Sequence, residues 1–388
     1  MNVALGGSNS AGDQIIINGG KATGSTLLTI NNVGGLGGQT SGNGIPLVLA
    51  SKDGSVASGA FSLANTPMAG GFKYTLEETD NSFFLVSSPT ATVGGITNSI
   101  NNVAKAQQSQ MITNRVLGSI LLGATQQVSC SSCGGGFASV GSFALGGSGR
   151  WSLSDTTTLI GGISYNQWSA SGITVYNAPT VAGALVYDFV KWGSSRPFLE
   201  VGAGLTPYEQ VNTTRVYPNG LSSGFGYSTA TDREASLFGR AGWVDRLTPI
   251  DEAAAYVDLG RSWMQTGGSS EQLTAINPFP ATVPSGLAAL NVARLGTQYT
   301  HLFNGNIEVN VSAAVAYGFG AGAGAPFNVF EFGTIAPGAI ADSAWFEYGA
   351  RVGYRVTDRL VVDGFLLGTA GGLAGNFVHG GVGVRYSF

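Results

Sequence analysis

Charge is scarce in this chain of 388 residues. Only 10% of them are Asp, Glu, Lys or Arg, against about 25% in an average soluble domain. The 18 basic and 22 acidic residues leave a net charge of −4, which gives no footprint for nucleic acid. Long apolar runs are missing too. A membrane helix needs about 18–20 uninterrupted apolar residues, and the best stretch, Val116 to Ala124, is far too short. The chain has two cysteines and two histidines. Zinc would need two further ligands beside a cysteine pair, and His301 and His379 lie far from it in sequence.

Glycine and aromatics are plentiful: Gly occurs 61 times, and aromatics make up 10% of the chain. Much apolar sequence without a helical span leaves a β membrane protein or a large all-β soluble protein. Glycine alone would also suit a low-complexity chain, but the aromatics and a strict period of two argue against that. Val378, Val382, Val384, Tyr386 and Phe388 share one face of the last segment, and His379, Gly381, Gly383, Arg385 and Ser387 share the other. The terminal aromatic resembles the assembly signal of Gram-negative outer-membrane β-barrels. Counting back from it predicts strands near 376–388, 359–369, 345–356, 307–319, 290–303, 253–265, 235–247, 197–210, 178–190, 157–168 and 136–151. Short connections such as Thr357-Asp358 alternate with long ones near 320–344, 266–289, 211–234 and 169–177, the two-sided pattern of such barrels. Barrels of this class take an even number of strands. A twelfth is therefore expected at 113–127, which puts Cys130 and Cys133 in the first outward loop.

The polar faces of these strands carry Glu200, Arg240, Asp258, Arg294, Glu308, Glu347, Arg351, Arg355, Asp363 and Arg385. In a soluble core each charge would cost several kcal/mol unless paired. In a hydrated lumen the charges are tolerated and can form ladders. This contrast favours a membrane barrel over a soluble sandwich. Arg115 is placed to pair with lumen acids at the junction of helix and first strand. Arg196, Arg246 and Arg359 read as solvated turn charges. Trp151, Trp168, Trp192, Trp243, Trp263 and Trp345 fall near strand ends, as in aromatic belts.

Residues 1–92 differ from the rest. Ile15-Ile16-Ile17, Leu27-Leu28-Thr29-Ile30, Ile45-Pro46-Leu47-Val48-Leu49, Phe61-Ser62-Leu63, Phe72-Lys73-Tyr74 and Phe83-Phe84-Leu85-Val86 are short β runs cut by Gly and Asn. Such spacing suits stacked β-helix rungs, with a small sandwich as the alternative. Residues 93–112 read as a short polar helix whose Ile96, Ile100, Val103, Ala104 and Met111 fall in one narrow stripe. A helix so polar suits the inside of a hydrated pore. Cys130 and Cys133 lack a thioredoxin-like strand and helix around them, so a small-loop disulfide is expected in an oxidising compartment. Gly318-Phe319-Gly320-Ala321-Gly322-Ala323-Gly324 lacks the Lys-Ser/Thr of a phosphate loop. No cofactor or metal is assigned.

β-helix-like runs, a polar helix and a twelve-stranded barrel in this order resemble a classical (type Va) autotransporter. Asp13-Gln14-Ile15-Ile16-Ile17-Asn18-Gly19, Thr29-Ile30-Asn31-Asn32-Val33-Gly34-Gly35 and Gly42-Asn43-Gly44-Ile45-Pro46-Leu47-Val48 resemble the pertactin-like end of a passenger. Phe346-Glu347-Tyr348-Gly349 and Arg385-Tyr386-Ser387-Phe388 look like barrel-domain signatures, with Tyr386 and Phe388 as the assembly signal. The fold expected is all-β: a twelve-stranded antiparallel transmembrane β-barrel with a pore-threading α-helix, preceded by a short parallel β-helix cap. The domains would be a passenger end at 1–92, a linker helix at 93–112 and a barrel at 113–388.

The resemblance implies a non-enzymatic translocator in the outer membrane, with its N-terminal region on the cell surface. Its partners would be outer-membrane lipid, the barrel-assembly machinery, periplasmic chaperones and its own passenger, with no nucleic acid and the chain itself a monomer. Some relatives cleave their passenger inside the barrel by attack of an Asn amide on its own carbonyl. Asn101 and Asn102 are the candidates here. The sequence after Met1 carries no secretory signal, so the true start is expected upstream. Two alternatives remain: a stand-alone porin, and a barrel hydrolase using His379 and Asp363.

Overall fold

Twelve antiparallel strands close into a barrel in the computed structural model, which describes residues 1–122, 132–140, 143–170, 172–219, 222–322 and 324–387. The strands are β1 (Cys133–Val140), β2 (Phe143–Ser152), β3 (Thr157–Ala170), β4 (Ile173–Asp188), β5 (Ser195–Asn219) and β6 (Ser222–Thr248). They continue as β7 (Asp251–Thr266), β8 (Gly286–Phe303), β9 (Ile307–Phe319), β10 (Ser343–Arg355), β11 (Leu360–Ala370) and β12 (Phe377–Ser387). Each strand pairs with the next, and β1 closes on β12 with Cys133 opposite Ser387. Closure removes every free edge in the wall, which the interior of a bilayer requires.

The two faces of the wall differ sharply. Leu259, Leu295 and Val382 point outward and are 63%, 64% and 62% exposed, whereas Asp258 and Glu200 point inward and are 1% and 2% exposed. An apolar girdle this wide would be an aggregation hazard in water and is the lipid-facing band of a membrane barrel. No described helix is long and apolar enough to cross a membrane.

The expected fold class is the one observed, but three strand expectations are corrected. The segment expected as the first strand continues the helix, α1 (Ala91–Leu122). Its remainder, 123–127, lies outside the described residues. The twelfth strand comes instead from splitting the run at 136–151 into the hairpin β1–β2. Most described residues of the outer loops expected at 169–177 and 211–234 are strand as well: β3 and β4, and β5 and β6, pair far beyond the neighbouring strands. Their sequences, Ile173-Thr174-Val175-Tyr176 and Val211-Asn212-Thr213-Thr214-Arg215-Val216-Tyr217, are rich in β-branched and aromatic residues.

The N-terminal region coils. Asn2–Val3 pairs in parallel with Asn31–Asn32, Ile15–Asn18 with Ile45–Ser51, Lys21–Ala22 with Ser55–Val56, and Thr26–Leu28 with Phe61–Leu63. Val3, Leu5, Leu28, Ile30, Ile45, Leu47 and Leu85 fill the interior. The antiparallel hairpin Phe72–Thr79/Ser82–Pro89 ends the coil, turning at Asp80 and Asn81, whose φ of 49° and 55° suit a tight hairpin turn. Tyr74 is fully buried; its hydroxyl donates to Gly6 O (2.9 Å) and accepts from Gly38 N (3.0 Å). Burial raises its pKa above the ordinary phenol value.

Candidate functional site

Helix α1 leaves the coil at Thr90 and runs into the barrel lumen. Its upper half is clamped by a collar of outer-loop residues. Ser269–Ser270, Ala281–Val283, Phe327–Val329 and Gly333–Ile335, from the loops after β7 and β9, form a small sheet above the barrel mouth. Ile96, Ile100 and Val103 pack against Tyr217, Phe279, Ala281, Phe327 and Val329. Arg215 of β5, 1% exposed, is the collar's polar centre: its guanidinium donates to both Glu271 oxygens (2.9 and 2.6 Å) and to Phe279 O (2.6 Å), and it stacks on Tyr217. Ser99 of the helix accepts a further bond from Arg215 (3.4 Å). Phe332 of the second loop stacks on Phe72 of the coil and meets Phe279 edge-on, so coil, collar and helix share one apolar contact.

Lower down, polar helix residues meet acids of the wall. Gln110 Nε2 donates to Glu209 (2.7 Å) and Asp232 (3.2 Å), and Asn114 Nδ2 donates to Glu209 (2.9 Å) and Glu234 (2.8 Å). Trp168 Nε1 donates to Asn114 Oδ1 (3.1 Å). Gln108, Gln110 and Thr113 are no more than 2% exposed. The helix is polar because its partners in the wall are polar.

Sequence reasoning missed Asp232 and Glu234 because they fell in the expected loop at 211–234, although they share the inward parity of Arg240, and it missed Glu209 because the pattern breaks before it. A β-bulge between Thr206 and Glu209 of β5 switches which parity faces inward. Counting by twos from Glu200 would therefore send Glu209 outward. Trp168 leaves the expected belt because it shares the inward parity of Ser164 and Asn166, and it is 2% exposed. Trp345 also leaves the expected belt, because it shares the inward parity of Glu347 and donates to it (2.9 Å). Trp192 and Trp243 stay exposed, as a belt requires.

The charges expected on the polar faces form two groups. In the first, Asp258 accepts from Arg115 (2.8 Å), Arg294 (3.2 Å) and Arg240 (3.4 Å). Arg240 also meets Glu200 (3.5 Å), and Arg294 meets Glu347 (3.0 Å). Arg115 belongs to the helix, not to a junction with the first strand, and it also stacks over Phe238. A cavity of about 240 Å³ remains beside it. In the second group Arg385 joins Asp363 (2.6 Å) and Glu308 (3.2 Å). Arg351 and Arg355 point inward without an ion pair among the described residues.

Other expected site residues are placed as follows. Asn101 accepts from Gly338 N (2.8 Å) at the outer mouth and Asn102 is exposed. Thirteen residues of helix separate Asn101 from Asn114, about 20 Å, so the acid set does not serve that pair. Asp363 is held by Arg385, while His379 stacks on Phe377 and lies tilted against Phe365, four strand positions from the level of Asp363, so the two expected partners are not brought together. Cys133 is in a disulfide and starts β1 on the short-turn side, not in an outward loop; Cys130 lies outside the described residues. Tyr386 faces outward and is 46% exposed, and Phe388 lies outside the described residues. Among the described residues no His, Cys, Asp or Glu group could hold a metal.

Residues 1–76 match the family model for the autochaperone domain, type 1. The translocator domain of the autotransporter NalP from Neisseria meningitidis is similar in fold, with a TM-score of 0.50, 10% identity, and coverage of 73% of this chain and 98% of that one. The β domain of the Bordetella autotransporter BrkA also matches, at a TM-score of 0.41 and 15% identity, over 66% of this chain and 99% of that one. The monoaromatic hydrocarbon channel CymD matches at a TM-score of 0.42 and 12% identity, over 70% of this chain and 92% of that one. The chain thus joins a match to the autochaperone domain to a single described helix and a closed twelve-stranded barrel similar in fold to an autotransporter translocator domain.

Proposed function

We propose that this chain exports its own N-terminal passenger to the cell surface and then anchors it in the outer membrane, by type V secretion. The observation that carries this reading is the unbroken connection from the coil through α1 to the lumen wall. A chain drawn outward through the barrel would finish with its last segment still inside. The functional units are then the passenger end up to Pro89, the lumen helix α1 and the barrel from β1 onward. Barrel-assembly machinery and periplasmic chaperones would deliver the barrel, with Tyr386 and Phe388 as the recognised end.

Protease access on intact cells tests this. An epitope before Asn2, with a secretory signal fused ahead of it, should be removed by external protease, leaving a membrane-inserted barrel whose gel mobility changes on heating. An epitope that stays protected in an inserted barrel would refute surface display.

The acid set supports a second reading, self-cleavage at Asn114 rather than at Asn101 or Asn102. Glu209 and Glu234 both accept from the Asn114 amide, so either could take its proton. Attack of Nδ2 on the Asn114 carbonyl would close a succinimide. It would break the bond to Arg115, whose nitrogen leaves with the proton. Intact mass of the inserted chain over days should then show fragments meeting between Asn114 and Arg115, absent in Asn114→Ala. A single unchanged mass would leave α1 as an anchor only.

A further inference from the structure

The outward face of β6 and β7 carries charges of opposite sign at its two ends. On β7 the outward series is Asp251, Ala253, Ala255, Val257, Leu259 and Arg261. Ten residues at about 3.3 Å each, tilted by about 40°, rise about 25 Å, the height of the apolar band of a barrel. Asp251 and Arg261 thus mark its two surfaces. On β6, Asp245 and Arg233 bracket Leu237, Ala241 and Trp243 in the same sense.

The two ends differ in how well they are satisfied. Asp251 accepts from Tyr299 (2.5 Å), His301 (2.6 Å) and the Thr248 hydroxyl, and Asp245 accepts from Ser195. Arg261 and Arg233 are exposed and in no ion pair among the described residues. Arg261 lies over Trp263 and makes one bond, to Asn291 (3.3 Å), which leaves most of its five donors open. Arg233 stands opposite Gln265, and Arg261 opposite Leu237, with the pair Ala235 and Trp263 between them. The cations are thus four strand positions apart, about 13 Å. Leu259 and Leu295, both strongly exposed, lie on the membrane side of Arg261.

We propose that Arg233 and Arg261, with Asn291 and Gln265, bind the phosphates of a phosphorylated glycolipid in the outer leaflet. Two separated cations suit a headgroup with two phosphates on a sugar scaffold. Guanidinium forks suit phosphate, Trp263 lies under the sugars, and the leucines meet the acyl chains. The assignment rests on the barrel lying in the membrane with its coil outside, and it does not depend on export.

Native mass spectrometry of the full chain in micelles tests it, with heat-dependent gel mobility as the check on folding. The probes are a bisphosphorylated diglucosamine glycolipid, its dephosphorylated form and inorganic phosphate. The expected result is one bound bisphosphorylated glycolipid, weakened about tenfold by Arg233→Gln or Arg261→Gln. Asp251→Asn, at the opposite rim, should leave binding unchanged. Equal binding of the dephosphorylated form, or full binding by a folded double variant, would overturn the proposal. Displacement by millimolar inorganic phosphate would overturn the lipid as the source of the phosphate.

Discussion

Asp258→Ala is expected to cost the folded barrel about 3–5 kcal/mol, the loss seen when one partner of a buried ion pair is removed. The residue is 1% exposed and accepts from three guanidinium groups. Arg240 would keep Glu200, and Arg294 would keep Glu347. Arg115 has Asp258 as its single ion-pair partner among the described residues, so its charge would be stranded in the lumen. The damage should therefore fall on the lower part of α1. Urea unfolding of the micelle-bound chain measures it. The double variant Asp258→Ala/Arg115→Leu should recover part of the loss, because the stranded cation leaves as well. Glu308→Ala is the comparison: Arg385 would retain Asp363 there, so the loss should be smaller. A loss below about 1 kcal/mol for Asp258→Ala, the range of exposed pairs, would mean that the helix is not held through this carboxylate.

Most of the wall was legible because a period of two survives wherever one face meets lipid and the other meets charge. β9 and β12 show it without interruption, and their bounds lie within a residue of those expected. The pattern fails where the wall leaves the membrane. In the outer parts of β5 and β6 both faces carry Thr, Asn, Ser and Tyr, so alternation is lost and strand reads as loop. The bulge after Thr206 then reverses the parity of β5 and moves Glu209 into the lumen against the count.

The helix was read too short for a related reason. Residues 113–122 contain Ile112's neighbours Val116 and Leu117, which could belong to either period. What extends the helix is tertiary: Gln110, Asn114 and Arg115 find wall partners at helical spacing. Those partners are remote in sequence, so no local pattern signals them. The same holds for the collar, where Arg215 and Glu271 come together from a strand and a distant loop.

The central claim is that α1 fills and seals the lumen until it is removed. Twelve strands enclose more space than the eight that side chains alone can fill, and a helix about 10 Å across occupies it here. Planar-bilayer conductance tests this most directly, comparing the intact chain with one lacking residues 1–122. The account predicts a closed baseline for the intact chain and a clear current step at each insertion of the truncated barrel. An intact chain that conducts as well as the truncated one would contradict it and favour a porin.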